Sequence, residues 1–164
     1  MIIGDAVWVA GGWTLDGESH QWHTTALTLN LEDPSSGWTE VDAPFERRAL
    51  ATVAVEGRLV IMGGIDSDRR MSSAVDVYDP TSGEWSKGPD LPGPGFGVAA
   101  VADGGAVYAS GMDGRVLRWR LGEKDWTPVS SLTYTRSFHR MVRTGDGELY
   151  AIGGIRDMAS GTRV

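Results

Sequence analysis

Three groups of residues have types and spacing that could do chemistry. His20, Trp22 and His23 place two imidazoles at His-x-x-His spacing, with Asp16 and Glu18 beside them, a donor set that suits a divalent metal. In a loop, however, that spacing fixes no shared face, and zinc takes three or four ligands in set geometry, so no metal is expected there. Asp66-Ser67-Asp68 carries carboxylates at alternate positions, as calcium loops do, but the glycine and distal Glu of such loops are missing. Arg136, His139, Arg140 and Arg143 form a basic stretch on an expected strand, where alternation sends His139 and Arg143 to one face and Arg140 to the other. Such a stretch either contacts a carboxylate or phosphate ligand or pairs with acids of a neighbouring element, and structural pairing is the expectation.

Other chemistries find no footing. The chain has no cysteine, which excludes disulfides, thiolate metal sites and cysteine nucleophiles. Neither a nucleophile elbow, a phosphate loop nor a pair of catalytic carboxylates emerges, so no catalytic residue and no cofactor is assigned. The formal net charge of -7 argues against a general nucleic-acid or anionic-membrane binder. The N-terminus lacks a basic region ahead of its apolar residues and does not read as a signal peptide, and no apolar stretch approaches the roughly 20 residues of a membrane helix. The compartment is left unassigned.

The elements that must position these residues repeat along the chain. Gly11-Gly12, Gly63-Gly64, Ser110-Gly111 and Gly153-Gly154 each close a short apolar run, and Trp38, Trp85 and Trp126 follow the first three. From Trp forward to the second glycine of the next pair the spacing is 26, 26 and 28 residues (Trp38 to Gly64, Trp85 to Gly111, Trp126 to Gly154). From that glycine to the next Trp it varies, 26, 21 and 15 residues, as surface loops do. A fixed period of this length means one structural unit used several times.

Nearly every periodic segment has strand character, bounded by Gly, Pro, Asp and Ser. In the longest unit strand A is expected at Ala49 to Val55, B at Arg58 to Met62, C at Ala74 to Tyr78 and D around Trp85. Strand A recurs at Gly97 to Ala102 and Ser137 to Arg143; B at Ala6 to Ala10, Ala106 to Ala109 and Leu149 to Ile152; C at Ala26 to Leu31 and Val116 to Leu121. Strand B is expected to be buried on both faces, as Leu59-Val60-Ile61-Met62 and Val7-Trp8-Val9-Ala10 imply, with glycine at its end permitting close backbone approach. Each Trp is expected to pack on an adjacent element, its indole N–H bonded to a carbonyl.

These residues resemble the kelch repeat: an apolar strand beginning near Arg, a second ending in Gly-Gly, a Tyr on the third and a Trp on the fourth. Arg48, Gly63-Gly64, Tyr78 and Trp85 match best, and Arg136, Tyr150 and Gly153-Gly154 begin another copy. In the third copy Ser110 stands for the first glycine, Trp119 for the Tyr, and Gly95 or Pro94 for the Arg. The resemblance implies an all-β fold, an arc of a kelch-type β-propeller built from four-stranded antiparallel blades. The expected divisions are 1–41 (strands B to D), 47–88, 95–129 and 136–154 (strands A and B), with 155–164 as a tail. Propellers close with 4 to 8 blades, so this arc of about three and a half is expected to be completed by a longer chain or another subunit.

In this family the loops joining B to C and D to A share a rim that commonly binds partners. The matching segments are Trp13 to Trp22, Ile65 to Met71 and Met112 to Gly114, with Asp42 to Glu46, Gly88 to Pro94 and Ser130 to Thr135. Trp13, Trp22, Arg69, Arg70 and Tyr134 are residue types enriched at binding hot spots, and Arg136 and His139 are candidates for the central channel. Gly11, Gly12, Gly63, Gly64, Gly111, Gly153, Gly154, Trp38, Tyr78, Trp85 and Trp126 are expected to be structural. The resemblance implies a non-catalytic scaffold that binds a protein or glycan. A fragment of a sugar-modifying propeller enzyme, of the sialic-acid mutarotase kind, is the alternative; the copper-oxidase kind needs a Tyr joined to a Cys, which this chain lacks.

Overall fold

The computed structural model describes residues 1–157 and 162–163. Their order is β1 (Ile2–Ile3), β2 (Ala6–Ala10), β3 (Trp13–Asp16), β4 (Ser19–Trp22), β5 (Thr25–Asn30), β6 (Trp38–Asp42), β7 (Arg47–Arg48), β8 (Ala51–Val55), β9 (Arg58–Met62) and β10 (Ile65–Asp66). Then come β11 (Val75–Asp79), β12 (Glu84–Lys87), β13 (Ala99–Asp103), β14 (Ala106–Ser110), β15 (Arg115–Arg120), β16 (Thr127–Ser131), β17 (Arg140–Arg143), β18 (Leu149–Ile152), β19 (Ile155–Asp157) and β20 (Thr162–Arg163). One 3-10 turn, Pro34–Ser36, is the helical element among the described residues. No helix there is long and apolar enough to cross a membrane.

Three four-stranded antiparallel sheets, β1-β2-β5-β6, β8-β9-β11-β12 and β13-β14-β15-β16, stand side by side, followed by the two-stranded β17-β18. They form an all-β propeller arc whose ring these strands do not close. The second strand of each unit sits where its apolar run predicts. The first sheet gains a strand that sequence reading missed: Ile2 and Ile3 fold back through the Gly4-Asp5 turn and pair with Val7 and Ala6. The Met1 ammonium donates to the Trp8 carbonyl at 2.7 Å and holds that strand down. Within the segment expected as a tail, Ile155–Asp157 pairs with Thr162–Arg163; residues 158–161 and 164 lie outside the described residues.

The core lies between the sheets. In β9, alternation sends Leu59 and Ile61 toward Trp8, Ala26 and Tyr78, and Val60 and Met62 toward Val107, Trp119 and Trp126. One strand thus feeds two inter-sheet cores, which is why its run is apolar without a break. Ala99, Val116 and Met141 make a smaller core against β17.

Glycine and backbone hydrogen bonds clamp neighbouring sheets together. Gly12 N–H donates to Arg47 O at 2.9 Å, and Gly64 N–H to Gly95 O at 2.8 Å, so the end of one sheet is tied to the entry of the next. At Gly63, φ is +68° and a Cβ would fall 2.2 Å from Gly95 O, so any side chain would force the sheets apart. The third unit differs from the expectation for Ser110. Ser110 lies opposite Ala99 as Met62 lies opposite Ala51, so Ser110 matches Met62, and Gly111 keeps the place of the first glycine while Met112 takes that of the second. Its loop is short, closed by a Gly114 N–H to Gly111 O bond of 3.0 Å, and needs no second glycine.

The tryptophans latch one sheet to the preceding one. Trp85 Nε1 donates to Asp42 O at 2.8 Å and Trp126 Nε1 to Pro89 O at 2.9 Å; Asp42 ends the last strand of the previous sheet and Pro89 lies just beyond its counterpart. Trp85 stacks against Tyr78, and Trp126 against Trp119, which occupies the matching position. Trp38 departs from the packed role expected of it: it is 50% exposed, because no sheet among the described residues precedes it.

Candidate functional site

The loops joining second to third strands, and fourth strands to the next sheet, gather on one rim. In the first sheet the segment expected as an open loop is instead a hairpin, β3-β4, pairing Trp13 with Trp22 and Leu15 with His20 around a Gly17-Glu18 turn. Trp13 stacks on His20 with ring centres 4.3 Å apart. The Arg48 guanidinium lies 4.7 Å from the Trp13 ring and 5.7 Å from Trp22, so the two indoles together face a cation carried by β7. Thr14 Oγ1 and His23 Nε2 share a 2.9 Å hydrogen bond. The two histidines therefore have separate partners, and no cluster of three or more metal-binding side chains occurs among the described residues.

Beneath the rim of the second sheet lies a buried polar knot that sequence reading placed one residue away. Arg47, and not Arg48, matches Arg136. Arg47 Nη1 donates to Gly63 O at 2.9 Å, Ala74 O at 2.9 Å and Ser72 Oγ at 3.2 Å, while Nη2 pairs with the Asp76 carboxylate. Arg136 Nη1 likewise donates to Gly153 O at 2.9 Å. Burial pulls the Arg47 pKa below its ordinary value and Asp76 opposes that pull. Lys87 Nζ takes the other Asp76 oxygen at 2.5 Å. Two adjacent arginines look alike in sequence; what separates them is the Arg48–Ile65 strand pairing, which turns Arg47 inward and Arg48 outward.

This knot is the floor of a cleft of about 300 Å³, whose walls include Phe45 and Glu46 on one loop and Asp66, Asp68 and Ser72 on the other. Ser67 Oγ donates to Glu46 Oε2 at 3.1 Å and joins the two loops. Asp66 Oδ1 accepts the Arg70 N–H at 2.8 Å, and Asp68 pairs with the Arg70 side chain at 3.1 Å. The two carboxylates thus shape their own turn, with Arg69 at its tip at φ +63°. The wall is acidic: Glu46, Asp66 and Asp68 stand around a floor whose cations are held by Asp76.

The last unit scatters the basic stretch. Tyr134 is 45% exposed on the rim, with the Arg156 guanidinium 4.3 Å above its ring. Arg143 pairs with Asp103 of the neighbouring sheet, the structural role expected of such a residue. Arg140 lines an axial cleft of about 640 Å³ whose other walls include Ala51, Val53, Val101 and Met141. His139 leaves the predicted alternation, because Phe138 at φ +56° turns the chain before the strand begins. It is buried with both ring nitrogens unpartnered among the described residues, and burial followed by the nearby Arg136 lowers its pKa to about 4.

On the opposite rim three carboxylates fold back onto their own turns. Asp79 is held below the ordinary carboxylate pKa first by the Thr81 N–H, Glu123 by the Arg120 N–H, and Asp146 by the Thr144 hydroxyl. Each carboxylate is spent on its own turn.

The Kelch motif model matches residues 46–92. Human Kelch-like protein 33 is 35% identical over 111 residues, which is 67% of this chain and 20% of that protein. Alpha-scruin of Limulus polyphemus is 32% identical over 110 residues, 65% of this chain and 12% of that protein. The chain therefore spans about a fifth or less of these relatives. The solved structure of YjhT superposes with a TM-score of 0.76 at 15% identity, covering 95% of this chain and 58% of that one, a likeness of fold alone. With the glycine clamps, the Trp latches and these relatives in agreement, the chain belongs to the kelch-repeat family.

Proposed function

We propose that this chain is a non-catalytic scaffold that binds a protein partner through its rim of second-to-third-strand and inter-sheet loops. The observation that carries the reading is the contrast between the two rims. One presents a hairpin with two indoles beside the Arg48 guanidinium and a cleft of about 300 Å³ on a fixed Arg47–Asp76–Lys87 floor, while the other consists of tight turns, at Asp79 and Glu123 closed by the turn's own carboxylate. A cleft walled by Glu46, Asp66 and Asp68 favours a basic side chain of the partner, and a rigid floor lowers the ordering cost of binding. The axial cleft favours binding over sugar chemistry, since its described walls are apolar apart from Thr52, Arg140 and backbone groups and bring no acid and base together.

The test is site-specific photo-cross-linking in cells, with the probe at Leu15, Met71 or Tyr134 on the proposed rim and at Glu56 or Lys124 on the other. The reading expects a discrete protein adduct from the first three positions, lost when Glu46 and Asp68 are changed to Gln and Asn. Equal adducts from both rims, or adducts from Glu56 and Lys124 alone, would overturn it.

A further inference from the structure

The second and third sheets are both four-stranded, yet they differ beneath the rim. Ala99 lies opposite Ser110 as Ala51 lies opposite Met62, so counting back from each puts Gly95 at the place of Arg47, and Ala109 holds the place of Ile61. Asp76 lies opposite Ile61, and Leu117 opposite Ala109. The third sheet therefore lacks both members of the buried ion pair, with Gly for Arg and Leu for Asp, and it carries Ala where the second has Ile. No side chain fits at position 95, where a Cβ would strike Ser72 O. The result is a pocket of about 10 Å³ between Leu91, Pro94, Val98, Ala109 and Leu117, space for about one water- or methyl-sized group. Gly93 and Pro94 on one rim loop and Gly111 and Asp113 on another form its mouth. There Arg115 Nε donates to the Asp113 carboxylate at 2.7 Å and Nη2 to Pro92 O at 2.6 Å, which braces the two loops against each other.

We infer that this pocket is an anchoring subsite that takes a short aliphatic side chain, Ala or Val, from a segment of the partner protein. The subsite lies on the proposed rim, and its role rests on that reading. Leu91, Val98, Ala109 and Leu117 are buried members of one core cluster, so packing fixes the walls before a partner arrives and the ordering cost of binding is low. A charged or amide side chain would lose water there without gaining a partner, because the Asp113 and Arg115 charges are engaged with each other. Leu and larger side chains exceed the space and would force the walls apart. Neighbouring sheets thus select different residues of one bound segment. The acid-walled cleft of the second sheet takes a basic side chain, and the apolar pocket of the third takes a short aliphatic one.

The probe is a phage-displayed library of linear peptides selected on the full-length chain, with methyl NMR of Leu91, Val98 and Leu117 reporting entry into the pocket. Selected peptides are expected to shift these methyls and to share an Ala or Val at one position. Changing that residue to Asp should weaken binding roughly tenfold or more. Ala109→Val in the chain, a step toward the Ile61 of the second sheet, fills the space and should weaken the same peptides about fourfold, the worth of one buried methylene. Because the peptide variant leaves the chain untouched, loss of folding cannot mimic the result. Recovery of no binding peptide, selected peptides that leave the three methyls unshifted, or equal affinity with Asp at the shared position would each overturn the inference. Rim adducts at Leu15, Met71 and Tyr134 alongside unshifted methyls would overturn the pocket alone, whereas adducts confined to the other rim would overturn the rim reading itself.

Discussion

Asp76→Asn separates charge from shape in the buried knot. The carboxylate is fully buried, the Arg47 side chain is 5% exposed and the Lys87 side chain 64% exposed. Removing the charge lets Lys87 turn to water but leaves Arg47 buried beside a neutral amide, with carbonyls as its remaining acceptors. Breaking one partner of such a pair costs about 3–5 kcal/mol. A domain of this size shifts its Tm by about 2–4 °C for each kcal/mol, so a fall of roughly 6–20 °C is expected. Urea unfolding followed by circular dichroism should show a lower midpoint with an unchanged slope. The double replacement of Arg47→Met with Asp76→Leu removes both charges and should recover most of the loss. A single variant within about 1 kcal/mol of the parent, or a double variant no better than the single, would refute the claim that desolvated charge governs this knot.

Two further outcomes follow from the same geometry. Trp126→Phe strands the Pro89 carbonyl and should cost about 1–3 kcal/mol, whereas Trp38→Phe, at an exposed position, should stay within about 0.5 kcal/mol; equal losses by calorimetry would contradict the latch. His139 has a folded pKa of about 4, below its ordinary value of 6.5, so the unfolded chain takes up the proton first as pH falls. Stability should therefore decline from about pH 6.5 down to about 4, and His139→Leu, the residue type found at the matching Leu50, should flatten that slope in pH-dependent urea melts.

The repeat was legible because the two inner sheets carry the same demands: an apolar second strand between two cores, glycine where sheets touch, and Trp where a carbonyl of the preceding sheet waits; β2, with no described sheet before it, leaves Val9 exposed. What escaped were features decided by tertiary neighbours. Arg47 and Arg48 are identical in type, and only strand pairing chooses which is buried. Ser110 resembles a replaced glycine until its partner Ala99 fixes the register. Ile2–Ile3 is too short to carry a period, and its pairing depends on β2. The β3-β4 hairpin did leave a signal, since Trp13 and Leu15 alternate toward the Gly17-Glu18 turn and His20 and Trp22 alternate away from it. The candidate site was less legible than the fold, because Arg48 beside the two indoles and the acid wall of the second sheet both join residues distant in sequence.

The central claim is that binding belongs to one rim. The most direct measurement is hydrogen exchange by mass spectrometry on the chain with and without the protein captured by rim cross-linking. The account predicts slowed exchange in residues 13–22, 65–71 and 130–135, with residues 56–57, 80–83 and 122–125 unchanged. Protection confined to the second set would contradict it.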